Sequence, residues 1–308
     1  MKKLLLALPL VAVLTACSTN PTTGKSQFNA LSREDEIQMG NQAAPELIKE
    51  MGGEVPDPDL RAYVVEVGQR LIPHTEADGP QRQWTFTLLN SDVINAFALP
   101  GEKVFMSRGL AAKLDNEAQL AAVLGHEVGH VMARHINDRV SQQLGAGIAG
   151  AVAGIVIGEV TDSDTVRQVA PIGLSIGSQV ILLKFSRNQE TEADTLGMRY
   201  MAKAGYDPIG ALGVMQVLAR ESGPRGGPEI LATHPYPETR IANIQRLLKG
   251  EYASTQGNPQ FQTFADRYQQ RFLSRVGALA PIAGDDRLLA LLGPSHTWCG
   301  HCAAALHE

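Results

Sequence analysis

Residues 116–130 read Asn-Glu-Ala-Gln-Leu-Ala-Ala-Val-Leu-Gly-His-Glu-Val-Gly-His, and this stretch decides the fold. Its apolar residues recur every three or four positions, which predicts a helix from Asn116 to Val140. His126 and His130 are four residues apart, so they lie on one helix face, where two imidazoles can hold a zinc ion at about 2.0–2.1 Å. Glu127 is rotated by about 100° from His126. It can therefore stand beside the metal and take a proton from water.

A catalytic zinc site needs a third protein ligand and one open position. The candidate segment is Arg187-Asn-Gln-Glu-Thr-Glu-Ala-Asp-Thr-Leu-Gly197. Glu190 and Asp194 lie four residues apart on one face of a second predicted helix. One carboxylate can bind the metal while the other orients a ligand histidine. The alternative is an ordinary solvated acidic face.

Composition limits the classes of protein that this chain can be. It has 308 residues, 44% of them hydrophobic, and a formal net charge of −5. These values exclude collagen-like and wholly disordered chains, and they argue against nucleic acid as a partner. The three cysteines are Cys17, Cys299 and Cys302, which is too few for a fold built on disulfides.

The first 16 residues are typical of a bacterial export signal, with two lysines followed by an apolar run. The signal ends in Leu14-Thr-Ala-Cys17, which resembles a lipobox. That resemblance implies cleavage before Cys17 and lipid attached to it, so that residues 17–31 form a lipidated polar tether. Ser18 follows the lipid site, and by resemblance to sorted lipoproteins this favours the periplasmic side of the outer membrane. The alternative is an ordinary signal peptide that happens to end near a cysteine.

The rest of the chain predicts a mostly helical protein with one small sheet. Predicted helices lie near 32–51, 57–71, 188–204, 208–221 and 237–249, and predicted strands at 84–89, 95–99 and 103–106. Residues 144–158 carry five glycines and no charge, and we interpret them as a helical hairpin beside the cleft or a membrane-dipping element. Cys299 and Cys302 match a thiol redox motif but lack room for a thioredoxin fold, so a local disulfide or adventitious metal binding is favoured.

Several motifs in order carry a family resemblance. They are residues 116–130, Asn95-Ala-Phe-Ala-Leu-Pro-Gly101, Glu190-Thr-Glu-Ala-Asp194 and Thr233-His-Pro-Tyr-Pro-Glu-Thr-Arg240. Together they resemble the family-48 zinc metallopeptidases, which include the CAAX prenyl proteases, and in particular the periplasmic lipoprotein members. The resemblance covers roughly residues 18–250. It implies an α+β, predominantly helical, gluzincin-like fold with a small antiparallel sheet, a metallopeptidase domain at 32–250 and a C-terminal tail of unknown role at 251–308.

The resemblance also implies roles for particular residues. Glu190 becomes the third zinc ligand, and Asp194 becomes the partner that orients His126. His234 could fill the open zinc position or donate a hydrogen bond to an oxyanion. Arg240 could bind either a carboxylate or an oxyanion. The strand that contains Asn95, Ala96 and Phe97 corresponds to an edge strand to which a peptide substrate could add. His135, one turn beyond His130, is expected to be structural.

These observations predict a lipid-anchored periplasmic endopeptidase with one Zn²⁺ per chain and Glu127 as its base. By resemblance, its substrates would be misfolded or stalled envelope proteins. The alternative is a chaperone-like assembly factor for outer-membrane proteins with a gated zinc site, whose partner would be the outer-membrane assembly machinery. A thiol oxidoreductase centred on Cys299 is a third reading.

Overall fold

The computed structural model describes residues 17–76, 82–143, 184–222 and 227–279. The predictions for the export signal, for the glycine-rich 144–158 segment and for the Cys299 and Cys302 tail lie outside the described residues. Among the residues that the model describes, no helix has the length and apolar character needed to cross a membrane.

The strands and helices follow the sequence predictions closely in position. The strands are β1 (Cys17–Thr19), β2 (Ser26–Phe28), β3 (Thr85–Leu89), β4 (Ala96–Leu99) and β5 (Lys103–Ser107). The helices are α1 (Arg33–Glu50), α2 (Pro58–Leu71), α3 (Arg108–Ala111), α4 (Glu117–Met132), α5 (Arg187–Lys203), α6 (Ile209–Arg220), α7 (Ile230–Thr233), α8 (Pro237–Lys249) and α9 (Ala265–Tyr268). Residues 135–143 are also helical, and short helical turns continue from α9 to Val276.

The predicted fold class is confirmed, with one correction to the sheet. β5 is the central strand, antiparallel to β4 but parallel to β3, so the sheet is mixed and not purely antiparallel. A tight turn through Gly101, whose φ is 76°, folds β4 and β5 into a hairpin. The hairpin places its second strand against β3, which makes these two strands parallel and leaves β4 at the edge.

The predicted helix from Asn116 to Val140 is wrong in one respect, because it breaks. α4 ends at Met132, and Arg134 lies in the left-handed region with a φ of 57°. The side chain of Arg134 donates to Glu36 Oε1 at 3.0 Å and to the Leu31 carbonyl at 2.9 Å. These tertiary contacts compensate for a backbone conformation that is unfavourable for a residue with a Cβ.

α4 is the central helix of the core, because every one of its 16 residues is buried. A helix that is buried all round must be covered on each side by other elements. Here α5, α6, α2 and the sheet pack against it. The His-Glu-x-x-His segment therefore lies in the packed interior of the described residues.

The packed body extends beyond both predicted domain boundaries. The segment expected to be a tether forms the β1–β2 hairpin, which docks on the end of α4 through Asn20 and Gln27. On the other side of residue 250, Phe272 is fully buried beside Tyr63, and Arg267 pairs with buried Glu117. Apolar burial and a shared carboxylate thus join residues 251–279 to α2 and α4.

Candidate active site

Helices α4 and α5 approach each other almost backbone to backbone. A Cβ added at Gly197 on α5 would lie 2.8 Å from the Gly125 carbonyl carbon and the His126 nitrogen on α4. A Cβ at Gly129 would lie 2.8 Å from the Ala193 carbonyl oxygen. Real Cβ atoms do not come this close, so only glycine permits the contact. The short distance between the axes is what brings the acidic face of α5 to the two histidines.

The start of α5 places its first turn in register with the histidines. Ser186 is the N-cap, and together with Gln189 it forms a capping box. The Gln189 amide also donates to Asp138 at 2.7 Å, which ties the helix start to residues 135–143. Glu190, in this first turn, is completely buried. Capping thus positions the third candidate ligand.

Four buried side chains converge on one point. Nε2 of His126 lies 3.0 Å from Nε2 of His130, and Glu190 Oε1 lies 3.3 Å from the latter. Nδ1 of His234 lies 3.2 Å from Glu190 Oε1 and 3.3 Å from His126 Nε2. One ligand atom from each of the four residues lies within 4.8 Å of all the others. The structure therefore brings together residues from α4, α5 and the segment that follows α7.

Asp194 and Arg240 lie behind His126. Asp194 Oδ1 is 2.8 Å from His126 Nδ1, which leaves Nε2 facing the cluster. Arg240 donates to both Asp194 oxygens, at 2.9 and 2.7 Å, and its Nη1 lies 3.1 Å from Glu190 Oε2. Two roles were considered for Arg240, binding to a carboxylate and binding to an oxyanion. This geometry supports the first role and not the second.

The charges of the site keep both carboxylates ionised. Burial alone raises the pKa of Glu190, but the positive charges of His234 and Arg240 outweigh it and hold that pKa well below its usual range. Burial likewise opposes ionisation of Asp194, yet Arg240 and His126 lower its pKa overall. Burial also holds the pKa of His130 well below its usual range. Ionised carboxylates and neutral imidazoles are the forms that bind metals.

Glu127 lies beside the four converging side chains but is not one of them. It is 1% exposed, and its Oε1 has no hydrogen-bond partner among the described residues. The closest cationic candidate is His234, whose Nε2 is 3.7 Å from that oxygen. A buried carboxylate with a free oxygen is costly to stability, which is typical of a group kept for chemistry.

The donor set fits a metal ion. Oε1 of Glu190 and the Nε2 atoms of His126 and His130 are buried and face the same point. At a zinc–ligand distance of about 2.0–2.1 Å, tetrahedral ligands are about 3.3–3.4 Å apart, close to the observed separations. Two histidine nitrogens and one carboxylate match the ligand set of catalytic zinc sites. His126, His130 and Glu190 would hold the ion.

The predicted substrate strand, β4, lies at one edge of the three-stranded sheet. It packs against α4, and Ala96 and Phe97 are buried within it. The Asn95 carbonyl accepts from the Ser107 amide, so the inner side of the strand is already paired. Whether a peptide adds to the outer side stays a prediction.

An apolar pocket opens beside His126 and Glu127. Its apolar walls come from α4, α6 and α7 and include Val123, Val214 and Ile230, and Asp194 and Arg240 also line it. The cavity has a volume of about 30 Å³, which is room for about one water molecule and not for a substrate side chain. Sequence reasoning missed this pocket because it depends on how α6 packs across α4.

The contact at Gly197 gives a direct test of how α5 positions Glu190. We expect Gly197→Ala to force α5 away from α4, to lower the free energy of unfolding by about 1–3 kcal/mol and to weaken metal binding. Gly277→Ala is the matched control, because a Cβ there meets its nearest atom only at 3.4 Å and no positive φ is involved. Urea denaturation and metal titration measure both effects. Equal behaviour of the two variants would contradict the close-packing argument.

Two imidazoles on one helix, a carboxylate from a second helix and an adjacent free glutamate define the site of a metallopeptidase. The model of peptidase family M48 matches residues 58–248. The chain belongs to this family, and the expected class of metalloendopeptidase is confirmed by the family and by the names of its relatives.

Curated relatives include bacterial and mitochondrial proteins. The "Beta-barrel assembly-enhancing protease" of Escherichia coli K12 is 32% identical over 243 residues, which is 76% of this chain and 48% of that protein. The "Mitochondrial metalloendopeptidase OMA1" of Schizosaccharomyces pombe is 31% identical over 74% of this chain and 65% of its own length. The chain thus spans about half the length of the bacterial relatives it matches.

Proposed function

We propose that this protein is a zinc endopeptidase that hydrolyses peptide bonds in misfolded or stalled proteins of the bacterial envelope. The observation that carries the proposal is the convergence of His126, His130 and Glu190 beside Glu127, whose Oε1 makes no hydrogen bond to the described residues. No other arrangement of titratable groups within the described residues unites metal ligands with a free base in this way.

The residues of the chain have separate tasks in the proposed reaction. His126, His130 and Glu190 hold the zinc ion. When bound, zinc supplies Lewis acidity, which polarises the scissile carbonyl and favours the deprotonation of water. Glu127 takes the proton of the attacking water and passes it to the leaving amine. Asp194, fixed by Arg240, keeps His126 in the orientation that points Nε2 at the ion.

The edge of β4 supports unfolded chains as substrates. Addition of an extended chain to this edge would provide main-chain hydrogen bonds with little dependence on sequence. Folded proteins pair their backbone groups internally, whereas misfolded segments leave them free to pair. This feature favours broad selection of unfolded segments.

We place the protein on the periplasmic side of the outer membrane, held by lipid on Cys17. The proposal is supported by the lipobox-like residues 14–17 and by Ser18 after them. Membrane fractionation of cells that express the chain tests it. Recovery with the inner membrane, or in the soluble fraction, would overturn this localisation.

Metal content and proteolysis together test the proposed activity. The purified full chain is expected to contain one zinc ion and to cleave casein. Treatment with a chelator should abolish cleavage, because the base alone cannot activate water sufficiently, and added Zn²⁺ should restore it. A protein that cleaves casein equally well after metal removal would contradict the mechanism.

A second candidate is an assembly factor for outer-membrane proteins with a gated zinc site. The printed name of the Escherichia coli relative couples a protease to β-barrel assembly, and the proposal carries that role to this chain. The specific observation in its favour is His234, whose Nδ1 faces the same point as the metal ligands. A fourth protein ligand would occupy the position that a catalytic zinc ion keeps open.

His234→Ala is therefore expected to increase casein hydrolysis, because the variant frees the position that the imidazole blocks. Burial lowers the pKa of His234, but Glu190 and Glu127 outweigh burial and raise it overall, so the same ring could instead donate to an oxyanion. A lower rate in the variant would support that donor role. An unchanged rate would exclude both roles.

A further inference from the structure

His135 lies against His130 because the catalytic helix breaks between them. In a continuous helix a residue five positions on is rotated by about 140°, away from the first. The left-handed conformation of Arg134 redirects the chain, and Nδ1 of His135 comes to lie 2.9 Å from Nδ1 of His130. The His135 side chain is 1% exposed, so no solvent competes for this contact.

The proton positions in this contact follow from the partner on the other side of His135. Its Nε2 lies 3.1 Å from Glu192 Oε2, and a carboxylate only accepts, so Nε2 carries a proton. The two Nδ1 atoms are 2.9 Å apart and share one proton, and a metal on Nε2 of His130 would leave that proton on the Nδ1 of the same ring. Nδ1 of His135 is therefore an acceptor, and Nδ1–H of His130 donates to it. The lone pair of His130 is then on Nε2, which faces the metal ligands.

The other oxygen of Glu192 is bound by the N-terminal hairpin. Lys25, between β1 and β2, places its Nζ 2.7 Å from Glu192 Oε1. The same hairpin contributes the Asn20 amide to the Met132 carbonyl and the Gln27 amide to the Ala133 carbonyl, at the end of α4. Lys25 of this hairpin is thereby connected to the candidate ligand His130 through the side chains of Glu192 and His135.

We propose that His135 and Glu192 are positioning residues that fix the tautomer of His130 and present its Nε2 to the metal. The inference rests on the proposed zinc site and adds to it a second set of residues, separate from Asp194 and Arg240. Each candidate ligand histidine would then have its own carboxylate, His126 directly and His130 through a second imidazole. Loss of such a partner typically weakens metal binding about 10- to 100-fold.

The test is the zinc dissociation constant of the full chain, measured by competition with a chromogenic chelator. His135→Phe keeps a planar ring but removes the acceptor, so zinc affinity should fall by about 10- to 100-fold. His135→Asn places an amide oxygen near the position of Nδ1 and should recover most of that loss. His74→Phe, outside the site, is the matched control and should bind zinc like the wild type. A purely structural role predicts equal losses in the Phe and Asn variants.

Glu192→Ala keeps the inference falsifiable if the His135 variants do not fold. It removes only the carboxylate and should weaken zinc binding by about tenfold. Lys25→Met should change the zinc affinity little, because an ion pair with an exposed lysine contributes little. Wild-type affinity in His135→Phe or in Glu192→Ala, or equal losses in His135→Phe and His135→Asn, would overturn the inference. A wild-type protein that binds no zinc would instead overturn the proposed function.

Discussion

Glu127→Gln is expected to abolish proteolysis while leaving the protein folded and loaded with metal. The amide has nearly the shape of the carboxylate but cannot accept a proton, so casein hydrolysis should fall by about 10²–10⁴-fold, the usual contribution of a general base. Metal content should not change, because Glu127 is not among the four converging ligand side chains.

The same variant should be at least as stable as the wild type. Glu127 is buried, and its Oε1 has no hydrogen-bond partner among the described residues. A neutral amide costs less to bury than a carboxylate whose oxygen makes no hydrogen bond and whose nearest cation, Nε2 of His234, is 3.7 Å away. Glu46→Gln, on the exposed face of α1, is the control and should leave both rate and stability unchanged. Substantial casein cleavage by Glu127→Gln would show that another group acts as the base.

The candidate ligands could be predicted from the sequence because their geometry is local. His126 and His130 need only one helical turn to face each other, and Glu190 and Asp194 need only another. The sequence also carries the signals that begin these helices, such as Asn116 before α4 and Ser186 before α5. Local propensity and tertiary packing agree at these positions, so pattern reasoning succeeded.

The features that the sequence did not reveal depend on residues far apart along the chain. Arg134 adopts its left-handed conformation because it binds Glu36 and Leu31, about a hundred residues earlier, and no local pattern indicates this. The contact of His135 with His130 is a consequence of that break. The same is true of Lys25, whose ion pair with Glu192 joins the N-terminal hairpin to α5.

Strand pairing was a second source of error. The short strands at 95–99 and 103–106 are close enough in sequence to form a hairpin, and they do. Their sequences do not indicate which of the two pairs with the third strand of the sheet. In the structure the second strand of the hairpin, β5, pairs with β3, and the sheet is therefore mixed. Glu102 in the turn has a φ of 60°, and the ion pairs of its buried carboxylate with the partly exposed Arg33 and Arg82 hold a conformation that glycine would usually adopt.

Arg240→Met should produce the largest loss of stability. Arg240 is buried, with two hydrogen bonds to Asp194 and an ion pair to Glu190. Methionine fills a similar volume but leaves two buried carboxylates without their cation. Breaking a buried ion pair on one side costs about 3–5 kcal/mol, and the free energy of unfolding in urea with excess chelator should fall by that amount.

Zinc should recover part of the free energy of unfolding that Arg240→Met loses, because the ion adds positive charge beside Glu190 and binds only the folded site. Arg240→Lys should be intermediate, since lysine keeps the charge but not the fork that binds both oxygens of Asp194. Arg246→Met is the matched control on the same helix, where the exposed side chain donates to Asn243 alone among the residues that the structure describes. Its free energy of unfolding should change by no more than about 0.5 kcal/mol. If Arg240→Met and Arg246→Met unfold alike in chelator, the two carboxylates are not held by Arg240, and the orientation of His126 through Asp194 must have another cause.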